Sequence, residues 1–318
     1  MKEYAIGIDV GGTKLAAGIV NRKGEVIDFQ KSATLTEQKP EFVINAIYQV
    51  YHALLKKTGI KPAEIEGVGL GFAGTVNGPE GLIYVSSNLP EWHLMPLRDV
   101  VNEKLGIPVI LENDANCSAL GEYRYGAGRG TVNTCYVCFS TGFGLGIIID
   151  GKIYRGHTGT AGEFAHMLIE KDGYDCPCGK KGCLLTYASG IGISKIVYEK
   201  IDQGAETVLR KHATPERHRI SGEAVAEAAR AGDRVAIETL ETAGFYFGLG
   251  LSIVTQVLNP ELIVIGGGLT RIGDLLMEPT YQGFRDTVQP ELVDTVRMKL
   301  WELGDQGGII GAASLFFD

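Results

Sequence analysis

Short apolar runs broken by glycine turns open the chain. Residues 4–10 (YAIGIDV) read as a buried strand, Gly11 and Gly12 turn it, and LAAGIV (15–20) reads as the strand returning. Residues 21–24 make a second turn before a third strand at 25–29, which predicts a β-meander with a glycine hairpin at its first tip. The period then changes. Val43, Ala46, Ile47, Val50 and Leu54 recur at helical spacing across 40–58, and Gly59 stops the helix. GVGLGFAG (67–74) predicts a buried strand ending in a glycine loop at Gly74. IPVILEN (107–113) predicts another strand, with ANCSALGEYRYG (115–126) as the helix after it.

The opening pattern restarts about 130 residues later. TCYVCFS (134–140) reads as a strand, TGFGLG (141–146) as a glycine turn, IIID (147–150) as a strand, Asp150-Gly151-Lys152 as a turn, and IYRG as a third strand. This repetition predicts an internal duplication, with two lobes of similar construction. Helical patterns follow. Ser221 caps a helix at 222–231, a longer one at 234–258 carries Leu240, Ala243, Phe247, Leu251 and Val254, and Asn259-Pro260 ends it. LIVIGGG (262–268) is a buried strand running into three glycines, and GDQGGIIGAASLFF closes the chain with a glycine-opened helix. At 318 residues the chain is too long for one core. The expected fold class is α/β, with a small lobe of residues 1–117 plus 305–318. A large lobe of 118–304 would carry the cysteine loop and a dimerisation surface.

Charge narrows the function classes. The net charge of −8 makes nucleic acid a poor partner, because phosphate neutralisation needs a basic stripe. Any phosphate ligand must then draw on backbone amides and a cation for much of its positive potential. The N-terminal apolar run is short and interrupted by Asp9, unlike a signal peptide, and no stretch reaches the ~18 apolar residues of a membrane span. A cytoplasmic protein is expected. The 44 glycines have no collagen-like period and point to tight turns and close backbone–ligand approach.

The candidate chemistry sits at the turns. In Asp9-Val10-Gly11-Gly12-Thr13-Lys14 a strand-end carboxylate suits Mg²⁺, two glycines let amides approach phosphate oxygens, and Thr13 adds a hydroxyl donor. A second tip at Thr141-Gly142-Phe143-Gly144 would grip a triphosphate from the other side. Taken alone, either is also an ordinary hairpin turn. Gly266-Gly267-Gly268 would admit a base or ribose, or simply turn strand into helix. In Asn113-Asp114-Ala115-Asn116, Asp114 reads either as a helix N-cap or as a general base, with Asn113 bonding a sugar hydroxyl; Glu112 is an alternative base. His166, Cys176, Cys178 and Cys183 match a four-coordinate structural zinc. The alternative is three free thiols that merely cluster. Glu163 and His166, three residues apart, would share one face of a helix. His52, His93, His157, His212 and His218 show no partners.

With DVGGTK (9–14), NDAN (113–116), STGFGLG (140–146), GEFAH (162–166), CPCGKKGC (176–183) and IVIGGG (263–268) in view, the whole chain resembles the ROK family of repressors and sugar kinases, and within it the bacterial glucokinases. The resemblance implies the two-lobed actin-like ATPase fold (a duplicated ribonuclease H-like unit), ATP·Mg²⁺ as phosphoryl donor and Asp114 as catalytic base. It implies sugar contacts from Asn88, Asn113, Glu163 and His166, with Gly74 and Asp114 beside them, and zinc on His166, Cys176, Cys178 and Cys183. It further implies phosphate or nucleotide contacts at Asp9, Gly11, Gly12, Thr13, Lys14, Thr141, Gly142, Gly266, Gly267 and Gly268, a small-molecule sugar as substrate, and a homodimer or homotetramer. One position departs from the family pattern. Leu185 stands two residues after the last cysteine, where the family places a glutamate that accepts hydrogen bonds from the sugar. A hydroxyl buried against leucine goes unpaired at a cost of about 1–3 kcal/mol, a factor of roughly 5 to 150 in affinity. The sugar is then expected to carry an apolar or bulkier group there, or to lack that hydroxyl. The rival readings are a kinase for N-acylated or otherwise modified hexoses or for fructose, and a non-catalytic sugar-binding regulator.

Overall fold

The computed structural model describes residues 2–11, 14–33, 39–86 and 92–317. In chain order its elements are β1 (Tyr4–Val10), β2 (Lys14–Asn21), β3 (Val26–Ala33), α1 (Pro40–Thr58), β4 (Ile65–Phe72), β5 (Thr75–Asn77), β6 (Leu82–Val85), β7 (His93–Met95), α2 (Leu97–Leu105), β8 (Val109–Asn113) and α3 (Asp114–Tyr125). They continue with β9 (Thr134–Phe139), β10 (Phe143–Ile149), β11 (Lys152–Ile153), α4 (Leu185–Ala188), α5 (Gly190–Asp202), α6 (Gly222–Arg230), α7 (Arg234–Leu258), β12 (Leu262–Gly266), α8 (Asp274–Thr287), β13 (Arg297–Leu300) and α9 (Gly307–Ser314).

The duplication is visible in the sheets. One has the order β3-β2-β1-β4-β8 and the other β11-β10-β9-β12-β13, so each is a three-strand meander followed by two further strands. In the first, β1 is antiparallel to β2 and parallel to β4, which is parallel to β8. A short antiparallel sheet, β5-β6-β7, was not anticipated, its strands being too brief to show a period.

By packing, the chain forms two compact units. The first comprises Met1–Tyr136, Leu145–Gly162 and Trp301–Asp318. The expected division ran at 117/118 and 304/305; as packed, 118–136, 145–162 and 301–304 also lie in this unit. The reason is local. Helix α3 continues past residue 118 and its backbone lies directly on α9: a Cβ added at Gly311 would stand 1.6 Å from the Cys117 carbonyl oxygen. The buried Glu122 carboxylate then accepts hydrogen bonds from the backbone N–H groups of Ala127 (2.9 Å), Glu302 (3.1 Å) and Leu303 (2.8 Å), binding the returning chain to α3. One sheet face is covered by α1 and α2 around Ile6, Ile8, Ile47, Leu54 and Leu70. The other packs Ala5, Ala16 and Val20 against Ile309, Ala313 and Phe317.

The second unit comprises Val137–Gly144 and Glu163–Leu300. Its long helix α7 starts at the Asp233 cap and ends at Asn259, which adopts φ 43°, as Asn tolerates. Phe247 of α7 stacks on Phe139 and Phe143, with ring centroids 3.8 and 5.4 Å away.

Two expectations need correction. The predicted glycine turn 141–146 is mostly strand, since β10 begins at Phe143. Gly146 is there for space, because a Cβ would stand 2.3 Å from the Ala115 carbonyl oxygen and 2.5 Å from the Ala119 Cβ. The IYRG strand shrinks to β11, two residues long.

Candidate active site

In the first unit the site grows from the carboxyl ends of three parallel strands. Asp9 of β1 lies in register with Gly71 of β4, which pairs with Glu112 of β8; one step on, Phe72 pairs with Asn113. There β8 gives way to α3, and the cap at this junction decides the roles of three neighbouring side chains. The cap is Asn113, where Asp114 was one candidate. The Asn113 Oδ1 accepts from the N–H groups of Ala115 (2.9 Å) and Asn116 (3.2 Å), and its Nδ2 donates to the Gly74 carbonyl at 3.1 Å. Gly74 and Asn113, both expected at the sugar, are thus held together. Asp114 is the first helical residue, half-buried, with Oδ1 on the Ala115 N–H at 2.9 Å.

Glu112 takes a different path. It is 1% exposed, and its carboxylate accepts from the Asn113 N–H (3.0 Å), the Asn116 Nδ2 (2.9 Å) and the Arg155 Nε (2.6 Å). Three donors, one of them the ion-paired Arg155, consume it, which removes it as an alternative base. Sequence reasoning missed this network; Arg155 sits in IYRG, and no spacing rule links it to Glu112.

Asp9 is half-buried beside α9 and α3. A Cβ added at Gly308 would lie 3.4 Å from its Oδ2 and 3.6 Å from the Ser118 Oγ. Gly308 and Ser118 were also unforeseen, the former read only as a helix opener. Beneath lies Cys117, fully buried. Burial pushes its thiol well above the usual value, and the negative charges of Glu112, Asp9 and Asp114 add to the effect. The Arg155 guanidinium, which pairs with Glu112, works the other way. Gly11 is half-buried just after β1, and Lys14 opens β2. Gly12, Thr13 and Asn88, and the side chain of Lys14, lie outside the described residues.

In the second unit the Thr141-Gly142 tip is tied to α5: the Gly190 N–H donates to the Ser140 carbonyl (3.0 Å) and the Ile191 N–H to the Thr141 carbonyl (3.2 Å). Of the three glycines after β12, Gly267 is explained by the turn itself. It has φ 94°, and a Cβ would stand 2.4 Å from the Phe139 carbonyl oxygen. Gly266 is buried, whereas Gly268 is half-buried and faces open space.

Ligand atoms of His166, Cys176, Cys178 and Cys183 lie within 4.8 Å of one another. The Cys178 and Cys183 sulfurs are 3.7 Å apart, and the Cys176 sulfur is 3.5 Å from the His166 Nδ1. Those are the edge lengths of a tetrahedron with bonds of about 2.0–2.3 Å, so the four groups fit a zinc ion. Burial pushes the Cys183 thiol up to about 12 and also raises Cys176; Cys178 resists burial through hydrogen bonds from the Lys180 N–H and the neighbouring thiols, and is lowered. Glu163 and His166 frame a single 3₁₀ turn, Phe164–His166, where the expected helix shrinks to three residues. Residues three apart align along such a turn, and both side chains are exposed. Leu185, by contrast, is 7% exposed and packed with Ala165, Cys176 and Cys183 against Phe143 and Ile191.

A repeated meander-plus-parallel sheet, a carboxylate at the first strand's end and glycine tips define an actin-like ATPase fold, here with a cysteine–histidine cluster. The sequence profile of the ROK family matches residues 5–318, and the chain belongs to that family. It is 36% identical over 315 residues to a glucokinase of Streptomyces coelicolor, covering 98% of this chain and 96% of that protein. It is similar to the crystal structure of a ROK family glucokinase from Streptomyces griseus in complex with glucose and AMPPNP. That match has 34% identity, a TM-score of 0.83 and 98% coverage of both chains. More distantly, it is 26% identical over 315 residues to a xylose repressor of Bacillus spizizenii, covering 99% of this chain and 77% of that protein. Among the described residues, no helix is long and apolar enough to cross a membrane.

Proposed function

We propose that the chain transfers the γ-phosphoryl group of ATP to a hydroxyl of a hexose, the primary O6, with Asp114 accepting the proton of the attacking hydroxyl. The observation that carries this reading is the division of labour at the β8–α3 junction. Asn113 takes the capping duty and Glu112 is buried under three donors, whereas Asp114 stands half-buried at the carboxyl end of β8. The similar glucokinases, one with glucose and a nucleotide analogue bound, support the same reaction class.

The remaining roles follow the chemistry of each group. Gly74, Asn88, Asn113, Glu163 and His166 hold the sugar. Gly11, Gly12, Thr13, Lys14, Thr141 and Gly142 hold the phosphates, and the Gly266-Gly267-Gly268 turn borders the nucleoside, with Gly268 leaving the open room. Mg²⁺, held through Asp9, would supply positive charge to the phosphoryl group in transfer. Zinc on the three thiolates and the His166 Nδ1 would fix the loop and leave the Nε2 to meet a sugar hydroxyl. The enzyme works in the cytoplasm, where thiols stay reduced, as a homodimer or homotetramer.

The test is ADP release across glucose, fructose, hexosamines and N-acyl hexosamines, with Asp114→Asn alongside. Asp114→Asn is expected to keep its sugar affinity and lose about 10²- to 10⁴-fold in kcat. Near-normal turnover would remove Asp114 from this role. Leu185 supports a second reading, a kinase for a modified hexose, because its side chain is sealed in an apolar cluster and offers no acceptor. A preference for a non-glucose sugar that moves toward glucose in Leu185→Glu would establish it. No ADP release with any sugar would favour a regulator, the class of the xylose repressor.

A further inference from the structure

We infer that Arg219 is a phosphate ligand for the nucleotide, a fixed cation set over the Thr141-Gly142 tip. The inference rests on reading that tip as a phosphate-binding element.

The segment before α6 runs back along α5 and is pinned three times. Arg217 pairs with Asp202 at 2.6 Å, the Tyr198 hydroxyl donates to the His218 carbonyl at 2.8 Å, and the Ile220 N–H donates to the Ser194 Oγ at 3.0 Å. Asp202, Tyr198 and Ser194 are spaced four apart, along one face of the helix. The segment therefore climbs α5 turn by turn towards its N-terminus, and the buried side chain of Ile220 anchors the upper end. At that end, Arg219 Nη1 donates to the Thr141 Oγ1. The tip is fastened to the same helix start through Gly190 and Ile191. A Cβ added at Gly190 would lie 3.7 Å from the same guanidinium nitrogen, so tip, helix start and arginine meet at one place.

Arg217 has Asp202 and His218 has Glu216, whereas Arg219, exposed, makes no ion pair among the described residues. A guanidinium carries five N–H donors in a planar fork suited to phosphate oxygens, and the contact to Thr141 uses one. In a chain of net charge −8, a cation on a segment fastened at three points beside a glycine tip is suited to a polyphosphate.

The test is calorimetric titration of the full chain with ATP, ADP and AMP, comparing wild type, Arg219→Gln, Arg219→Lys and Gly142→Val. A Cβ added at Gly142 would meet the Leu185 Cδ1 at an ordinary 3.6 Å, and valine's branches block close approach of the backbone to a phosphate. Arg219→Gln is expected to weaken ATP and ADP by about 10- to 100-fold, the loss of a charge-assisted hydrogen bond. AMP should be little affected, sugar KM and melting temperature unchanged, and Arg219→Lys partly restored. ATP affinity within twofold of wild type in Arg219→Gln, with affinity lost in Gly142→Val, overturns the role of Arg219 and leaves the tip standing. Unchanged ATP affinity in both variants overturns the tip reading and Arg219 with it. An equal loss for AMP, or a shift in sugar KM alone, also overturns the inference.

Discussion

Asn113 stands between two carboxylates and separates their fates. By accepting the Ala115 and Asn116 amides it meets the demand for acceptors that the first turn of α3 makes, a task Asp114 would otherwise perform. Glu112 answers Arg155, which is 33% exposed, and holds the side chain of Asn116. The other end of that side chain, Asn116 Oδ1, is buried with no partner among the described residues, so the network is already under-supplied with donors. Arg155→Ala removes the cation that pairs with Glu112 and leaves a buried charge. The expected cost is about 2 kcal/mol, below the value for a fully buried pair because the arginine is partly solvated. Urea unfolding would show it as a lower midpoint at unchanged slope. A loss under about 0.5 kcal/mol would mean that Glu112 is satisfied by its neutral donors alone.

At the level of elements, helix ends were the most legible feature of the sequence. Gly59, Ser221 and Asn259 terminate or cap helices where their conformational preferences place them. The strand glycines were misread because Gly144 and Gly146 resemble turn residues in sequence, while the packing that demands Gly146 comes from α3, some thirty residues upstream. The Glu112–Arg155 pair was invisible for the same reason, as was the path of Arg219 along α5. The cysteine loop was legible because ligand chemistry is carried by residue type rather than by distant contacts. Cys178→Ser should therefore lower bound zinc from about one ion per chain to well under half, by elemental analysis, and weaken the sugar. Full zinc content in that variant would count against the cluster.

The cap of α7 permits a pH test. Asp233 Oδ1 accepts from the Ala236 N–H at 2.9 Å, and Oδ2 from the Val208 N–H and the Thr207 hydroxyl, both at 2.8 Å. Burial pushes its carboxyl up, but these hydrogen bonds outweigh that and hold it below the ordinary carboxylate value. A carboxyl lowered in the folded state binds fewer protons there than when unfolded. Its contribution to stability is thus complete above the unfolded value, near 4, and is lost as pH falls through the folded one. Asp233→Asn should lower the melting temperature at pH 7 and flatten its decline below about pH 4 relative to wild type. An identical acid limb in the two proteins would exclude this carboxylate as a contributor.

For the molecule as a whole, the question is what returns the chain to its first unit after an excursion from residue 163 to 300. Glu122 is the strongest candidate. Its carboxylate, 0% exposed, takes one amide from the loop after α3 and two from the segment that leads into α9. Helix α9 in turn lies on α3 and covers one face of the first sheet. Glu122→Gln keeps the size but turns an NH₂ group towards backbone donors, orphaning at least one buried or part-buried N–H. The expected destabilisation is about 2–3 kcal/mol, or roughly 4–10 °C in melting temperature for a unit of this size. Scanning calorimetry should place that shift in the transition of the first unit. Glu302→Ala is the control. Residue 302 contributes its backbone N–H to Glu122, and its exposed side chain pairs with the exposed Arg129 at 3.3 Å, so the melting temperature of this variant should stay within about 1 °C of wild type. If Glu122→Gln melts with Glu302→Ala, α9 is held by its apolar face, and the buried carboxylate has no part in closing the chain.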